Sequence, residues 1–548
     1  MIILGISHPM SWNNAACLLI DGQLVAMVEE ERLNRQKHAP SCPPILGVEY
    51  CLETANLKLK EIDCIAVGFG RPWEAALGHV KQVGLRAGWR LGFYLLRELL
   101  HHERAIPGRG QKPILFFNHH LAHAASTYFV SGFEEAMIIS LDGSGGGESG
   151  ILAHGKGDQI TILERISNDS SWGLLYEEVT ELLGFRRHSA EGKTMGLAAY
   201  CPDRESVFSF IDWNKAVPTI NIQAKQAYLA KLKPRKNEEA LNDEHKYLAA
   251  LVQNSLERAA TQMVQELQRR TGSRKLCLAG GTALNCSMNG VLGQLPIVDD
   301  IFIQPAAHDA GSALGAALLA HQKLTGQRST FVMKHPYWGP EYPNAEILAA
   351  LQDSTLSHYH LSTNIVQETA KLLAAGKIVG WFQGRAEIGP RALGSRSILA
   401  HPGDPTMKDR VNLKVKKREP WRPFAPSILE EFVGDYLLNA RLSPFMLQAF
   451  TTRPERCADL CSAIHVDASC RPQTVSKKTN LRYWQLIDAF RQLTGIAAVL
   501  NTSFNIDSQP IVCRPAEAIW TFLHSDLEAM AIGDYVVLKK EESLSDAE

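Results

Sequence analysis

"AMIISLDGSGGGESGILAHGKGDQITILERI", Ala136 to Ile166, carries the pattern from which the fold is read. "AMIISLD" is an apolar, β-branched run that ends at Asp142, as a buried strand does. "GSGGGES" has almost no side chains to pack and reads as a flexible loop. "GILAHG" is a second strand, "KGD" turns the chain, and "ITILERI" returns. The same outline stands at the start of the chain. "IILGIS", Ile2 to Ser7, is a strand, a polar loop follows, and "AACLLID" is the next strand. Asp21-Gly22 is a hairpin signal, because both residues tolerate the left-handed backbone that a tight turn needs, and "QLVAMVEEE" returns as a third strand.

Strand–loop–strand–turn–strand, twice, predicts two similar half-domains. That is the layout of actin-like (ASKHA) proteins, in which two such hairpins face a nucleotide cleft. Between them "KPILFFN" is a buried-strand candidate. Asn242 to Arg270 places Leu248, Leu251, Val252, Leu256, Ala259, Met263 and Leu267 at helical spacing, which predicts a long amphipathic helix. "KLCLAGGTALN" reads as strand then glycine turn. "IFIQPAAHDAGSALGAALLAHQKL" reads as strand, loop and helix, with Asp309 as the N-cap. "FVMKHPYWGPEYPNAE" is an interdomain crossing, so the chain is divided into residues 1–340 and 341–548. The second domain is expected to hold helix Asn364–Ala375, strand Ile378–Phe382, strand "IAAVLNTS", helix Pro515–His524 and strand "YVVLKK", and to end in a frayed acidic tail, "EESLSDAE".

Bulk properties exclude several classes. A length of 548 residues exceeds one ordinary core. Apolar content of 45% and charged content of 21% belong to a folded soluble chain. A formal net charge of −1 offers no overall field for nucleic acid or a membrane surface. The N-terminus lacks the basic region and apolar run of a signal peptide. "AGWRLGFYLLRELLHH" comes nearest to a membrane span, but its arginines recur at amphipathic spacing, which predicts a surface helix. Eleven cysteines without any CxxC pair fit reduced thiols in a cytoplasm.

"FFNHHLAHAAST" puts three histidines inside five residues. Asn118 can cap a helix on which His119 and His123, four apart, project from one face. His120 points elsewhere. Two readings fit this segment: a capped helix with surface histidines, or half of a metal site. Two carboxylates after strands, Asp142 in "LDGSG" and Asp309 in "HDAGS", complete a His/His/Asp/Asp set. Such mixed nitrogen and oxygen donors suit Fe²⁺, Mn²⁺ or Zn²⁺. The glycine turns with Gly280, Gly281 and Asn285 let backbone N–H groups approach a phosphate, and Lys193 in "SAEGKTMGLAAY" is compatible with nucleotide contact. The GxxxxGK[ST] spacing of a P-loop is absent. From Arg385 to Arg422 ten Lys/Arg face four acids, an excess of six, in a stretch full of turn residues. Arginines held on turns suit a small phosphorylated ligand.

Taken together, "VEEERLNRQKH", "NHHLAHAAS", "LDGSG", "EGKTMGLAAY", "GGTALN", "HDAGSALGAA", "GRAEIGPRALGSRSILA", "REPWRPFAPS" and "LNTSFNIDSQPIV" resemble the O-carbamoyltransferases of antibiotic and nodulation-factor biosynthesis, the NodU/CmcH family. The resemblance implies an α/β protein with an N-terminal actin-like duplicated domain and a C-terminal YrdC-like α/β domain. It implies that the second domain makes carbamoyl-adenylate from ATP, with Mg²⁺, and carbamoyl phosphate. The carbamoyl group then passes to a hydroxyl of a small-molecule acceptor at an iron-containing site in the first. By the same resemblance His119, His123, Asp142 and Asp309 are metal ligands. Lys37 and Asp142 take part in transfer. Arg391, Lys416, Arg422, Arg471 and Asn501 lie around carbamoyl phosphate and ATP. One position departs: Trp12, in "WNNA", stands where family members often carry a histidine in "HDAS". His8, His120 and His308 are then the candidates for the base that activates the acceptor, with His8 placed first. The rival classes are a tRNA threonylcarbamoyl-type enzyme, against which the neutral charge speaks, and a non-catalytic actin-like nucleotide-binding protein, which has no use for the arginine cluster.

Overall fold

The computed structural model describes residues 1–70, 104–236, 239–506 and 508–539. The stretch Ala87–His102 and the tail from Glu541 lie outside the described residues. The chain forms two compact units: Met1–Met333 with Leu447–Ala449, and Lys334–Met446 with Phe450–Glu548.

The first unit contains the same sheet twice. β1 (Ile2–Ile6), β2 (Ala15–Ile20), β3 (Gln23–Glu29), β4 (Cys64–Val67) and β5 (Ile114–Phe116) lie in the order β3-β2-β1-β4-β5. β6 (Glu135–Gly145), β7 (Glu148–Lys156), β8 (Gln159–Ser167), β9 (Lys275–Ala279) and β10 (Asp300–Ile303) lie in the order β10-β9-β6-β7-β8, the same topology read from the other edge. In each, the first three strands are antiparallel and the last two are parallel to the first. The duplication expected of an actin-like domain is therefore present strand for strand.

Three local expectations are corrected. "GSGGGES" is not a flexible loop: β6 runs on to Gly145, β7 starts at Glu148, and only Gly146 and Gly147 turn the chain. Their φ angles of 66° and 93° are why glycine is needed there. "QLVAMVEEE" stops being a strand at Glu29, and Glu30–Asn34 is a short helix. Asp309 does not cap its helix. The cap is His308, whose imidazole accepts from the Ala310 amide, and Asp309 is the first residue of helix Asp309–Thr325. The other helices agree with their spacing. Asn118 accepts from the Leu121 amide to cap His119–Tyr128, and Asn242 caps Asp243–Thr271.

The second unit is built on one mixed sheet of eight strands, the α/β arrangement expected of it. β11 (Tyr359–Leu361), β12 (Val379–Phe382), β13 (Arg396–Ala400), β14 (Ala425–Leu429), β15 (Gln473–Val475), β16 (Ala498–Ser503), β17 (Ala529–Ile532) and β18 (Tyr535–Leu538) take the order β11-β18-β17-β12-β13-β16-β14-β15. Period-2 alternation divides its side chains between two cores. Trp381 faces Tyr483 and Phe490, while its neighbour Phe382 shares the opposite core with Phe504 and Phe522. Among the described residues no helix is long and apolar enough to cross a membrane, and all eleven cysteines are free thiols.

Candidate metal centre and anion site

Helix His119–Tyr128 and helix Asp309–Thr325 cross at backbone contact because Gly315 has no side chain. A Cβ there would stand 1.8 Å from the Ala122 carbonyl oxygen. Gly145 is needed for the same reason, since a Cβ would fall 2.0 Å from the His119 ring. These two close approaches bring four donors together. His119 Nε2 lies 3.2 Å from His123 Nε2, 3.6 Å from Asp142 Oδ2 and 3.5 Å from Asp309 Oδ1. His123 Nε2 lies 3.2 Å from Asp142 and 3.7 Å from Asp309. All four ligand atoms fall within 4.8 Å of one another.

That donor set fits a transition-metal ion. Two imidazole nitrogens turned toward each other and toward two carboxylates form a nest for a cation. His119 Nδ1 lies 3.2 Å from the Gly68 carbonyl, so its N–H donates there and Nε2 is left with its lone pair for a ligand bond. Without a cation, protons take its place. Burial works against a charged His123, but Asp142 and Asp309 outweigh it and hold its pKa up at about 9. Burial likewise opposes charge on Asp142, yet His119 and His123 hold its carboxyl well below the usual range. The site is open on one side: the carboxylate side chains are 17% and 18% exposed, the imidazoles 2% and 0%.

Around this cluster the sequence candidates divide. His120 is buried and faces away, with Nε2 3.0 Å from the Glu148 carbonyl and Nδ1 3.4 Å from Ser140 Oγ. Burial and the neighbouring His119 push its pKa down to about 3, so it is neutral. His308 is also committed: Nδ1 accepts from Ala310 and Nε2 sits 3.1 Å from the buried Glu29. His8 is buried and accepts through Nδ1 from the Met10 amide, 3.2 Å away. Lys37 Nζ is 3.4 Å from Glu31, whose carboxylate also pairs with Arg32. Gly281 stands beside Asp142, where a Cβ would be 3.0 Å from Oδ1, and Gly280 turns the chain at φ 85° against Leu141. Asn285 has a structural occupation, capping helix Cys286–Gly293 and exchanging two hydrogen bonds with Gln253. Lys193 lies over the Phe185 ring at 5.5 Å.

Sequence reasoning missed one partner. The Trp12 backbone N–H donates to Asp309 Oδ2 at 3.0 Å, which fixes the carboxylate whose other oxygen joins the cluster. Main-chain donors leave no side-chain signal, so no motif announced it.

In the second unit the basic segment proves partly structural. Arg396 is buried and donates to the carbonyls of Gln383, Ser395 and Pro340, with its guanidinium 3.7 Å from the Phe382 ring centre. Arg385 donates to Gly339 and Trp338, and Arg410 pairs with Glu528. An excess of positive charge in the sequence is therefore only in part a demand for an external anion. The remainder gathers about β16. Asn501 Nδ2 donates to the Ala392 carbonyl, to Ser427 Oγ and toward Gln473, which places Asn501 beside the chain segments of Arg391 and Arg471. Lys416 Nζ donates to Asn505 Oδ1 at 2.7 Å and to Ser503 Oγ at 3.2 Å. Arg422 is 3.8 Å from Glu419. Asn501 Oδ1 and Arg471 Nε are buried with no hydrogen-bond partner among the described residues. A buried acceptor and a buried donor of this kind are satisfied by ordered water or by a ligand.

Comparison with known proteins identifies the family. The carbamoyltransferase N-terminus family model matches residues 2–70 and 92–318, and the carbamoyltransferase C-terminus model matches residues 370–539. The nodulation protein NolNO of Sinorhizobium fredii is 38% identical over 99% of this chain and 81% of its own length. The nodulation protein NolO of Bradyrhizobium diazoefficiens is 39% identical over 78% of this chain and 80% of its own. Among solved structures, HypF of T. kodakarensis aligns at 14% identity and TM-score 0.36 over 59% of this chain and 48% of that one.

Proposed function

The chain belongs to the carbamoyltransferase family and is a carbamoyltransferase, and from that premise we propose that it makes carbamoyl-adenylate from ATP and carbamoyl phosphate and transfers the carbamoyl group to a hydroxyl of a small natural-product acceptor. The second unit is the adenylating, YrdC-like domain of this reading. The observation that carries it is the orphaned pair, Asn501 Oδ1 and Arg471 Nε. Carbamoyl phosphate has an amide N–H₂ to donate to the first and phosphate oxygens to accept from the second. Arg391, Lys416 and Arg422 add charge for the phosphate and the ATP tail, with Mg²⁺ accompanying the nucleotide. Their side chains neutralise the anions, hold them in line and exclude water from a labile carbamoyl group.

In the first unit His119, His123, Asp142 and Asp309 would hold one Fe²⁺, Mn²⁺ or Zn²⁺ ion. Such an ion, when bound, supplies Lewis acidity toward a carbamoyl oxygen and attraction for an adenylate phosphate. Trp12 holds Asp309 through its amide, and His119 is oriented by Gly68. Lys37, 35% exposed and paired with Glu31, supplies a positive charge. The acceptor's proton leaves to solvent, because the Nδ1 lone pair of His8 is taken by the Met10 amide and both nitrogens of His120 and His308 are already engaged. The test is carbamoyl-phosphate-dependent ATP–pyrophosphate exchange. Wild type should exchange, and Arg471→Ala should lose it while keeping its fold. Exchange that persists undiminished in Arg471→Ala removes the adenylating role from this cluster.

A further inference from the structure

Three polar side chains lie buried on one face of the second unit's sheet, on neighbouring strands: Ser427 on β14, Gln473 on β15 and Asn501 on β16. Ser427 stands opposite Gln473. Asn501 stands opposite Ala425, two residues from Ser427 and therefore on the same face. Main-chain carbonyls fix which way each amide points, since a carbonyl only accepts. The Leu393 carbonyl accepts from Gln473 Nε2 at 2.7 Å, so Oε1 is the end turned away from it. The Ala392 carbonyl accepts from Asn501 Nδ2 at 3.1 Å. Asn501 Nδ2 also donates to Ser427 Oγ at 2.9 Å and to Gln473 Oε1 at 3.2 Å, and Ser427 Oγ donates to Gln473 Oε1 at 2.8 Å. Of the polar side-chain atoms of these three residues, Asn501 Oδ1 alone is buried without a partner among the described residues.

Gln473 also holds the main chain that Asn501 meets. The Leu393 carbonyl it binds accepts a second bond, from the Tyr337 hydroxyl at 2.7 Å. Glu387 Oε1 accepts from the Leu393 amide at 2.7 Å. The Ala392–Leu393 peptide is thus held by Asn501 at its carbonyl and by Glu387 at its N–H, one residue after Arg391.

We propose that Gln473 sets the specificity of this anion site by locking the Asn501 carboxamide, so that the site takes an acyl phosphate whose acyl group carries an N–H and rejects one that carries a methyl group there. This deepens the carbamoyl phosphate reading given above and rests on it. With Nδ2 turned to Ala392, Ser427 and Gln473, the amide atom left for a ligand is the acceptor Oδ1. A carbamoyl N–H satisfies that oxygen. An acetyl group has nearly the same shape, displaces water from it and offers no donor, which leaves a buried acceptor unsatisfied. A carboxamide without the lock turns its N–H to an acyl carbonyl and binds both alike. Gln473 acts through Asn501 and is a positioning residue.

Calorimetric titration of the full chain with carbamoyl phosphate and, separately, with acetyl phosphate tests this. Wild type should bind carbamoyl phosphate about tenfold or more tightly than acetyl phosphate. Gln473→Met keeps length and volume but removes the donor to Leu393 and the acceptor for Asn501. It should bring the two affinities within about threefold, chiefly by weakening carbamoyl phosphate. Ser427→Ala, a smaller change, should move the ratio in the same direction. Damage to the fold alone would weaken both ligands together and leave the ratio as it was. Equal binding of the two ligands by wild type overturns the proposal whether or not the variants fold, as does failure of wild type to bind either. An unchanged ratio in folded Gln473→Met and Ser427→Ala overturns it too. A ratio that depends on Gln473 in a protein without ATP–pyrophosphate exchange would keep the lock and discard the adenylate chemistry. Exchange supported equally by both acyl phosphates would keep that chemistry and discard the lock, so the two readings fail separately.

Discussion

Gly315 and Ala122 touch backbone to backbone: a Cβ on Gly315 would lie 1.8 Å from the Ala122 carbonyl oxygen and 3.0 Å from the Ser126 amide nitrogen. The contact sets the distance between the helix bearing His119 and His123 and the helix bearing Asp309. Two effects oppose each other in Gly315→Ala. Helix propensity favours alanine by about 1 kcal/mol. Overpacking costs about 1–3 kcal/mol, and more where the obstacle is backbone that cannot rotate away. The clash should win. Thermal unfolding should show a lower Tm, and elemental analysis less than one metal ion per chain. A variant with wild-type Tm and full metal content would show that the crossing has slack.

The ligand set predicts one transition-metal ion per chain in protein purified without chelator. His123→Ala removes a ligand that is fully buried and should abolish retention of the ion. Carbamoyl transfer should be lost with it, while carbamoyl-phosphate-dependent ATP–pyrophosphate exchange should persist, because its groups lie on other elements. A fully active, metal-free enzyme would contradict the assignment.

Protons and metal compete for His123, so pH gives a signed prediction. In metal-stripped protein the His123 pKa is raised from 6.5 to about 9. Its contribution to stability is complete below about 6.5 and is lost as pH rises through about 9. Asp142 is shifted the other way, below 3.8, so its contribution is complete above that value and lost in acid. The Tm of stripped protein should form a plateau between about pH 4 and 6.5 and fall toward pH 9. Metal binding must displace the His123 proton, so affinity should rise with pH across the interval in which stripped protein loses stability. Calorimetry in buffers of different ionisation enthalpy reads the proton release directly. No release at pH 7 would place the ion elsewhere.

How legible the chain was depends on what kind of group carried the information. The duplicated sheets were visible because their strands are runs of buried Ile, Leu, Val and Ala broken by Asp-Gly and glycine turns. His119 and His123 were visible because four residues make one helical turn and a bit. Asp309 was visible as a carboxylate in the loop after a strand, and the helix cap also expected of it belongs to His308. The loop after Asp142 was misread because glycines signal both slack and tight turns, and only the strand pairing shows which. Least legible were main-chain contributions, the Trp12 amide and the Gly68 carbonyl, which any residue type supplies. The basic segment misled in a different way. Charge counted along a sequence does not distinguish a guanidinium that ties carbonyls together from one that awaits a ligand.

That last distinction is testable between Arg396 and Arg471. Arg396 is 1% exposed, satisfies three carbonyl oxygens and stacks on Phe382. Removing it strands those carbonyls in a buried setting, each costing about 1–3 kcal/mol less whatever water enters. Arg396→Ala should therefore unfold at clearly lower denaturant, with a loss of about 3 kcal/mol or more, and lose every activity together. Arg471 has a buried Nε without a partner among the described residues, so it leaves fewer protein groups stranded when removed. Arg471→Ala should keep nearly wild-type stability and lose exchange, with the defect appearing first as a raised KM for carbamoyl phosphate. Added phosphate should protect wild type against denaturant and fail to protect Arg471→Ala, since only a ligand that binds the folded state stabilises it. If the two variants instead lose stability equally, the division of this segment into structural and ligand-binding arginines is wrong.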